Sequence, residues 1–444
     1  MAEGQTGVAE YGAEIGGGSA FLSRDFGLYQ TARLLVILGA EAQSIAVAWQ
    51  VFQITHHSPF YLGLAMLTIF APAFFFMLAA GHVADRYDRR TVILTCYSFQ
   101  ALCTLALIRF ALHPNGHVWP IFAVLFGVGL GRAFSGPASA AFLPSLVPSN
   151  YFVSAVTFGS IVFQIANIAG RSVGGLLFAL SLPGSLRHLD GAAAVYAFTL
   201  ITLLAFLVLV GMMRTGPVRL VKNAFNLETM LAGLKYVWQT KLLLGSISLD
   251  FFAVFLGGAT ALLPIFAVDI LHRGPRALGL LSAMPFLGAM MVSLWMMVRP
   301  LRRKAGKRML FCVALFGMVT VIFGLSHTMW ISMLALVVVG ASDMVSVVIR
   351  ASILQLATPS WLRGRVSAVN GFFVGASNEF GGFESGVTAS WWGAVPSVVV
   401  GGIGAIIVTG MACGLFPALR NTDVLSAESL MQANLQQSAA EPPD

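Results

Sequence analysis

Glu41, Arg132, Arg171, Asp250, Asp343, Arg350, Glu379 and Glu384 each stand deep inside a stretch that is otherwise apolar. In hydrocarbon such a charge costs at least ~2.5–3.5 kcal/mol, so each needs a partner, a wet cavity or a task. Two kinds of chemistry suit them. Opposite charges form ion pairs that hold segments together, and a carboxylate can exchange a proton as its surroundings change. A second constellation is "GHVADRYDRR", Gly81 to Arg90, with five charges in six positions after nineteen uncharged residues, "LGLAMLTIFAPAFFFMLAA". No nucleophile–base pair, phosphate loop or metal-ligand spacing accompanies either group. Handling of charge is therefore expected rather than bond chemistry: no enzyme, no cofactor, no metal. The four cysteines (Cys96, Cys103, Cys312, Cys413) lie in apolar runs without CxxC spacing and read as buried free thiols. His56, His57, His113, His117, His188, His272 and His327 fall at the ends of apolar runs, with His82 in the decapeptide, and read as interfacial.

The elements that must position these residues follow from composition. The chain is 57% hydrophobic and 10% charged, with mean hydropathy +0.84, whereas a soluble domain carries roughly 25% charged residues. Apolar runs long enough to cross a bilayer fall near 27–55, 62–83, 91–112, 118–140, 152–181, 190–213, 244–271, 277–298, 308–327, 329–350, 366–391 and 394–417. Such segments must be helices, because no water satisfies open backbone groups in lipid, and the ten-residue alternation of a membrane barrel is missing. The expected fold is all-α and integral to the membrane, with twelve transmembrane helices in two pseudo-symmetric six-helix bundles. Residues 1–24 form an N-terminal tail, 25–213 the first bundle, 214–243 a linker, 244–418 the second bundle and 419–444 a C-terminal tail. Within the linker, "LETMLAGLKYVW" has helical spacing suited to the inner membrane surface.

Of the 26 Lys and Arg residues, 19 fall on the side of the N-terminus, four on the other side and three (Arg132, Arg171, Arg350) within spans. This bias places both termini in the cytoplasm. It also accounts for the +8 net charge through a lipid bilayer, without any nucleic acid.

By depth, Glu41 of span 1 could meet Arg132 of span 4 if the two spans adjoin, either as a static pair or as one whose protonation follows transport. Asp250, Asp343 and Arg350 in spans 7 and 10 would form the matching cluster of the second half. Glu379 and Glu384 are five apart, about 140° around a helix, so one faces a cavity and the other a neighbouring helix. Trp49 reads as an interfacial anchor. Phe251 and Phe252, beside Asp250, are candidates for the cavity wall.

The pattern Gly81, Asp85, Arg86, Arg89, Arg90, placed after the second of twelve spans, resembles the signature loop of the major facilitator superfamily. The segments "SIAVAWQVFQIT", "GRAFSGPASAAFLPSLVP" and "LQLATPSWLRGRVSAVNGFFVGASNEFGGFESG" are similar to a bacterial branch that contains the enterobactin exporter and related drug-efflux proteins. The resemblance runs from about residue 25 to 417. It implies a cytoplasmic gate in which Asp85 docks at the start of span 11, near "RGRVSAV", supported by Arg86 and Arg90. The equivalent loop "RPLRRKAGKR" has no Asp, which implies a degenerate second latch. A buried arginine of helix 4 is linked to proton coupling in this superfamily, and Arg132 occupies that place. "NIAGRSVGGLL" resembles the antiporter signature that packs helices 5 and 8, with Gly170, Gly174 and Gly175 matching and Arg171 standing where proline is usual. Arg171 then needs a carboxylate, Glu41 or Glu384, and its cationic lining would suit an anionic cargo.

The reading is a secondary active transporter, functional as a monomer in a bacterial inner membrane. It would export a small amphiphilic molecule, a siderophore or drug-like compound, with the proton as coupling ion. The alternatives are an importer of a polar metabolite, or a membrane sensor or partner on the same scaffold. Sparse Asn, Gln and Trp groups favour an amphiphilic cargo.

Overall fold

Backbone groups in lipid can be satisfied only within the chain, and the described residues are accordingly helical, without a strand among them. The computed structural model describes residues 24–113, 116–148, 151–179, 190–214, 227–299, 304–359 and 361–422. Its crossing elements are α1 (Arg24–Ile54), α2 (Pro59–Arg86), α3 (Arg89–Leu112), α4 (Trp119–Phe142), α5 (Phe152–Ala179) and α6 (Asp190–Gly211), then α7 (Lys241–Leu256), α8 (Pro275–Val298), α9 (Ala305–Leu325), α10 (Met329–Ala357), α11 (Arg363–Trp392) and α12 (Ala394–Leu415). After Gly257 and Gly258, α7 continues to Ile270 through a 3₁₀ turn, a single α turn and a π turn. Eleven crossings are long and apolar enough for a membrane by length and composition. The twelfth, α11, is 30 residues long but more polar, since Asn370, Asn378, Glu379 and Glu384 interrupt it.

The packing repeats. In the first half α1 lies on α5 and α6, α2 on α4, and α3 on α4 and α6. In the second half α7 lies on α11 and α12, α8 on α10, and α9 on α10 and α12. The halves meet through two related pairs, α2 with α11 and α5 with α8. This is a pseudo-twofold arrangement of two six-helix bundles. The linker helix, Leu227–Gln239, packs on the start of α11, where a Cβ at Gly233 would lie 3.1 Å from Arg365. The tails (1–23 and 423–444) and linker residues 215–226 lie outside the described residues.

One end of the molecule carries Arg86, Arg89, Arg90, Lys304, Arg363 and Arg365 and is called the basic end; the opposite one is the far end. Close approach between the halves is concentrated towards the far end, where glycines let backbones touch. A Cβ at Gly386 of α11 would lie 2.8 Å from Gly63 Cα of α2, and one at Gly175 of α5 would lie 2.8 Å from Gly279 Cα of α8. Nearer the basic end the α2–α11 contact continues through rings, Phe70 with Phe372 and Phe380 and Phe74 with Phe372, at centroid distances of 5.5–6.3 Å. Gly364 and Gly371 of α11 face open space.

Two expectations change here. Gly170 and Gly174 do not serve the α5–α8 contact; they let α5 approach α1 at Leu38, Glu41 and Ala42, and only Gly175 faces α8. Trp49 is no interfacial anchor: it is 8% exposed and packs on Phe52 and Phe178, because α5 and α6 cover that face of α1.

Gly288 of α8 sits directly against Val337 of α10. Gly288→Leu should separate this pair and lower stability by about 1–3 kcal/mol, read as an earlier thermal transition in detergent. Leu at Gly410, whose surroundings are open, should leave the transition in place.

Candidate functional site

Between the halves lies a cavity of about 690 Å³, within the roughly 300–1,000 Å³ of small-molecule sites. Its walls are mostly apolar, and they carry seven charged side chains: Glu41, Arg132, Arg171, Asp250, Asp343, Arg350 and Glu379. The neutral polar groups Gln43, Gln164 and Asn378 join them. Arg132 and Asn378 belong to mid-helix positions yet are exposed. Water therefore reaches the cavity.

Opposite charges inside are arranged as pairs. Arg171 of α5 donates from Nε (2.9 Å) and Nη2 (2.8 Å) to Glu41 Oε2 of α1. The contact exists because Gly170 lets the two backbones meet: a Cβ there would lie 2.8 Å from Glu41 Cβ. The guanidinium of Arg171 also stacks over the Phe286 ring of α8, 4.5 Å from its centroid, so a charge pair of the first half rests on the second. Asp250 of α7 and Arg350 of α10 form the second ion pair, with side chains 5% and 4% exposed.

The expected Glu41–Arg132 pair is not formed. α1 packs on α5 and α6, while α4 packs on α2 and α3, which gives Glu41 to Arg171. Arg132 instead interacts electrostatically with Glu379 of α11 across the cavity. Asp343 of α10 lines the cavity, and no ion pair or hydrogen bond joins its side chain to another described residue. Glu384 is not on the cavity. It lies on the side of α11 that carries Ser385 and Thr388, where Ser397 of α12 joins the cluster (Thr388 Oγ1 to Ser397 Oγ, 2.7 Å). Phe251 and Phe252 are also off the cavity wall: Phe252 is 50% exposed, and Phe251 stacks on Phe255 and meets Phe373 edge-on.

In the decapeptide, Arg89 Nη1 donates to Ala141 O at the end of α4 (2.8 Å), and Arg90 Nη2 to Gly211 O at the end of α6 (2.5 Å). Cations belong at such helix C-termini, where carbonyls lack partners and the dipole is negative. Arg90 thus ties two helices of its own bundle. Arg86 is exposed. The Asp85 side chain lies outside the described residues, as does most of the second basic loop (300–303).

Groups without a conspicuous sequence signal also appear. His57 Nδ1 meets Asp269 Oδ1 at 3.0 Å, joining the α1–α2 turn of one half to the end of the seventh crossing in the other. The turn holds His56 and His57 at φ +51° and +68°, with the His57 ring stacked on Phe52 at 4.1 Å. Two consecutive left-handed non-glycine residues are uncommon, and they swing the imidazole across the seam. Gln100 and Thr104 of α3 reach inward from one helix face; being uncharged, they escape a search for misplaced charges. No group of three or more His, Cys, Asp or Glu among the described residues could hold a metal ion.

Such a cavity can hold a small molecule and redistribute charge around it. Comparison with known proteins gives the family and the fold. The profile of a family described as "Transmembrane secretion effector" matches residues 19–441. The enterobactin exporter EntS of Citrobacter koseri is 25% identical over 383 residues, covering 85% of this chain and 88% of that protein. EntS of Escherichia coli O81 (strain ED1a) is 26% identical over 376 residues, covering 85% and 84%. Among solved structures, a D-xylose–proton symporter superposes with TM-score 0.69 at 14% identity, covering 87% of this chain and 96% of its own. A bacterial homologue of the human lysosomal transporter Spinster, inward-facing and unoccupied, gives 0.66 at 12%, covering 92% and 97%. These two likenesses concern the fold alone.

Removing one member of the buried Asp250–Arg350 pair strands the other. Arg350→Gln should cost about 3–5 kcal/mol of stability, seen as a large drop in the detergent melting temperature. Asp250→Asn with Arg350→Gln together should cost clearly less than the two single losses added.

Proposed function

We propose, since the chain belongs to the transmembrane secretion effector family of the major facilitator superfamily, that this membrane transporter exports a small amphiphilic molecule by alternating access and proton antiport. The cargo class is a siderophore or a drug-like compound. The membrane is a bacterial inner membrane, with the basic end and both termini in the cytoplasm, as the distribution of Lys and Arg favours. The observation that carries the reading is the cavity: mostly apolar, of drug-ligand size, and furnished with Asp343, a carboxylate in no ion pair or hydrogen bond among the described residues.

In this reading Asp343 takes up a proton from the outer side and releases it to the cytoplasm. Glu41–Arg171 and Asp250–Arg350 hold the helices that frame it, and Glu379 and Arg132, both on the cavity and in no ion pair among the described residues, are the charges that cargo disturbs. The outer mouth is held by the glycine seams and by His57–Asp269. The inner mouth is gated by the Gly81–Arg90 loop, with Asp85 docking at α11 in the outward-facing state. Export rather than import is supported by the family's description and by the exporter relatives. The cavity offers no Trp and few amides, which supports an amphiphile over a sugar-like solute. The chain is read as acting as a monomer, since the cavity is lined by one chain alone.

Purified protein in proteoliposomes, under an imposed pH gradient, should move an amphiphilic compound against a counterflow of protons reported by an internal pH dye. Asp343→Asn should lose gradient-driven transport at least tenfold while retaining exchange of labelled for unlabelled cargo without a gradient. Undiminished gradient-driven transport by Asp343→Asn would remove the coupling role.

A further inference from the structure

A second, smaller chamber of about 170 Å³ opens off the main cavity into the first bundle. It shares Glu41, Gln43 and Arg132 with the cavity and adds Tyr97, Gln100 and Thr104 at its inner end, with Val36, Ile37 and Leu203 as apolar walls. Two of its polar side chains, Arg132 and Gln100, offer N–H donors. Thr104 Oγ1 lies 3.1 Å from Gln43 Oε1 and 3.0 Å from Gln100 O, and its one proton serves either acceptor. Gln100 is 7% exposed, and its Nε2 has no hydrogen-bond partner. A buried amide N–H without an acceptor forfeits about 1–3 kcal/mol, so an acceptor that enters the chamber is rewarded. Arg132, exposed and free of any ion pair within 4 Å among the described residues, brings positive charge to the mouth. Glu41, the nearest acid on the wall, is occupied by Arg171.

Size narrows the ligand. A cavity of roughly 150 Å³ holds one benzene ring, so this chamber takes a single ring between its aliphatic walls and no more. We infer that it is a cargo subsite for one aromatic ring bearing an anionic oxygen, with the ring between Ile37 and Leu203 and the oxygens on Arg132 and the Gln100 amide. The inference rests on the transport reading and deepens it, by giving the amphiphile an aryl-acid terminus. Glu379 is then the built-in competitor for Arg132, displaced as the anion arrives.

The test is equilibrium binding of salicylate to the purified full chain in detergent, with salicyl alcohol and benzylamine as neutral and cationic comparators. Salicylate should bind at least tenfold more tightly than either comparator. Gln100→Leu, which removes the donor, should weaken salicylate about tenfold. Ile37→Phe, which fills the chamber and keeps every polar group, should do the same, so the result does not depend on how well one variant folds. Glu379→Gln should tighten binding several-fold, a gain that damage to the structure would not produce. Equal affinity for the three probes, no binding of salicylate, or unchanged affinity in both Gln100→Leu and Ile37→Phe would overturn the subsite. Proton-driven transport of a larger amphiphile by the same preparation would leave the transport reading standing in each of those cases.

Discussion

A charge cannot be left in hydrocarbon, and most of this architecture can be traced to that constraint. Seven charged side chains at mid-helix positions gather on one cavity because each alternative, facing lipid or being buried alone, costs kilocalories. Two ion pairs neutralise four of them, Glu41–Arg171 and Asp250–Arg350. The remaining three, Arg132, Asp343 and Glu379, depend on water, on one another or on a ligand. In the proposed transport reading that asymmetry is the cavity's capacity to respond: paired groups frame it, and the other three sense what enters. The relation of the pairs to the pseudo-twofold is informative. Asp250–Arg350 joins the seventh and tenth crossings, whereas Glu41–Arg171 joins the first and fifth, so the halves share a packing plan and differ in how they spend their charges.

Glycine sets where the halves may touch. At Gly63–Gly386 and Gly175–Gly279 backbones meet without side chains between them, and a seam of this kind can separate and re-form without repacking large residues. Both seams lie towards the far end, with His57–Asp269 beside them. At the basic end Arg89 and Arg90 of the decapeptide are bound to carbonyls of their own bundle. The first bundle is therefore tied together at that end, as the proposed rigid-body rocking requires.

Much of this was legible in the sequence, because hydropathy and charge bias report directly on the bilayer. Each crossing lies within a few residues of the apolar run that announced it, and α10 departs most. Its apolar run ends at Arg350, whereas the helix continues to Ala357, since a hydrogen-bonded ladder does not stop where lipid does. Among the candidate site residues, Glu41, Arg132, Asp250, Asp343, Arg350 and Glu379 do share one cavity, because mid-span charge is itself the signal. Partner choice was not legible. Glu41 pairs with Arg171 rather than Arg132 because of lateral helix order, which depth along a span does not encode. Gln100 and Thr104 were invisible, and the partner of the interfacial His57 was not legible, for another reason: uncharged or terminal residues cost little in any single helix, and they become notable only once neighbouring helices enclose or oppose them.

The central claim is that the two bundles rock about the cavity, one mouth closing as the other opens. Spin–spin distances in lipid nanodiscs measure this most directly, with labels at His82 and Trp361 across the basic end and, in a second protein, at His56 and Arg273 across the far end. Acidification or addition of a transported amphiphile should shorten the first distance distribution and lengthen the second. Distributions that stay fixed under both treatments, or that shift in the same direction, would contradict it.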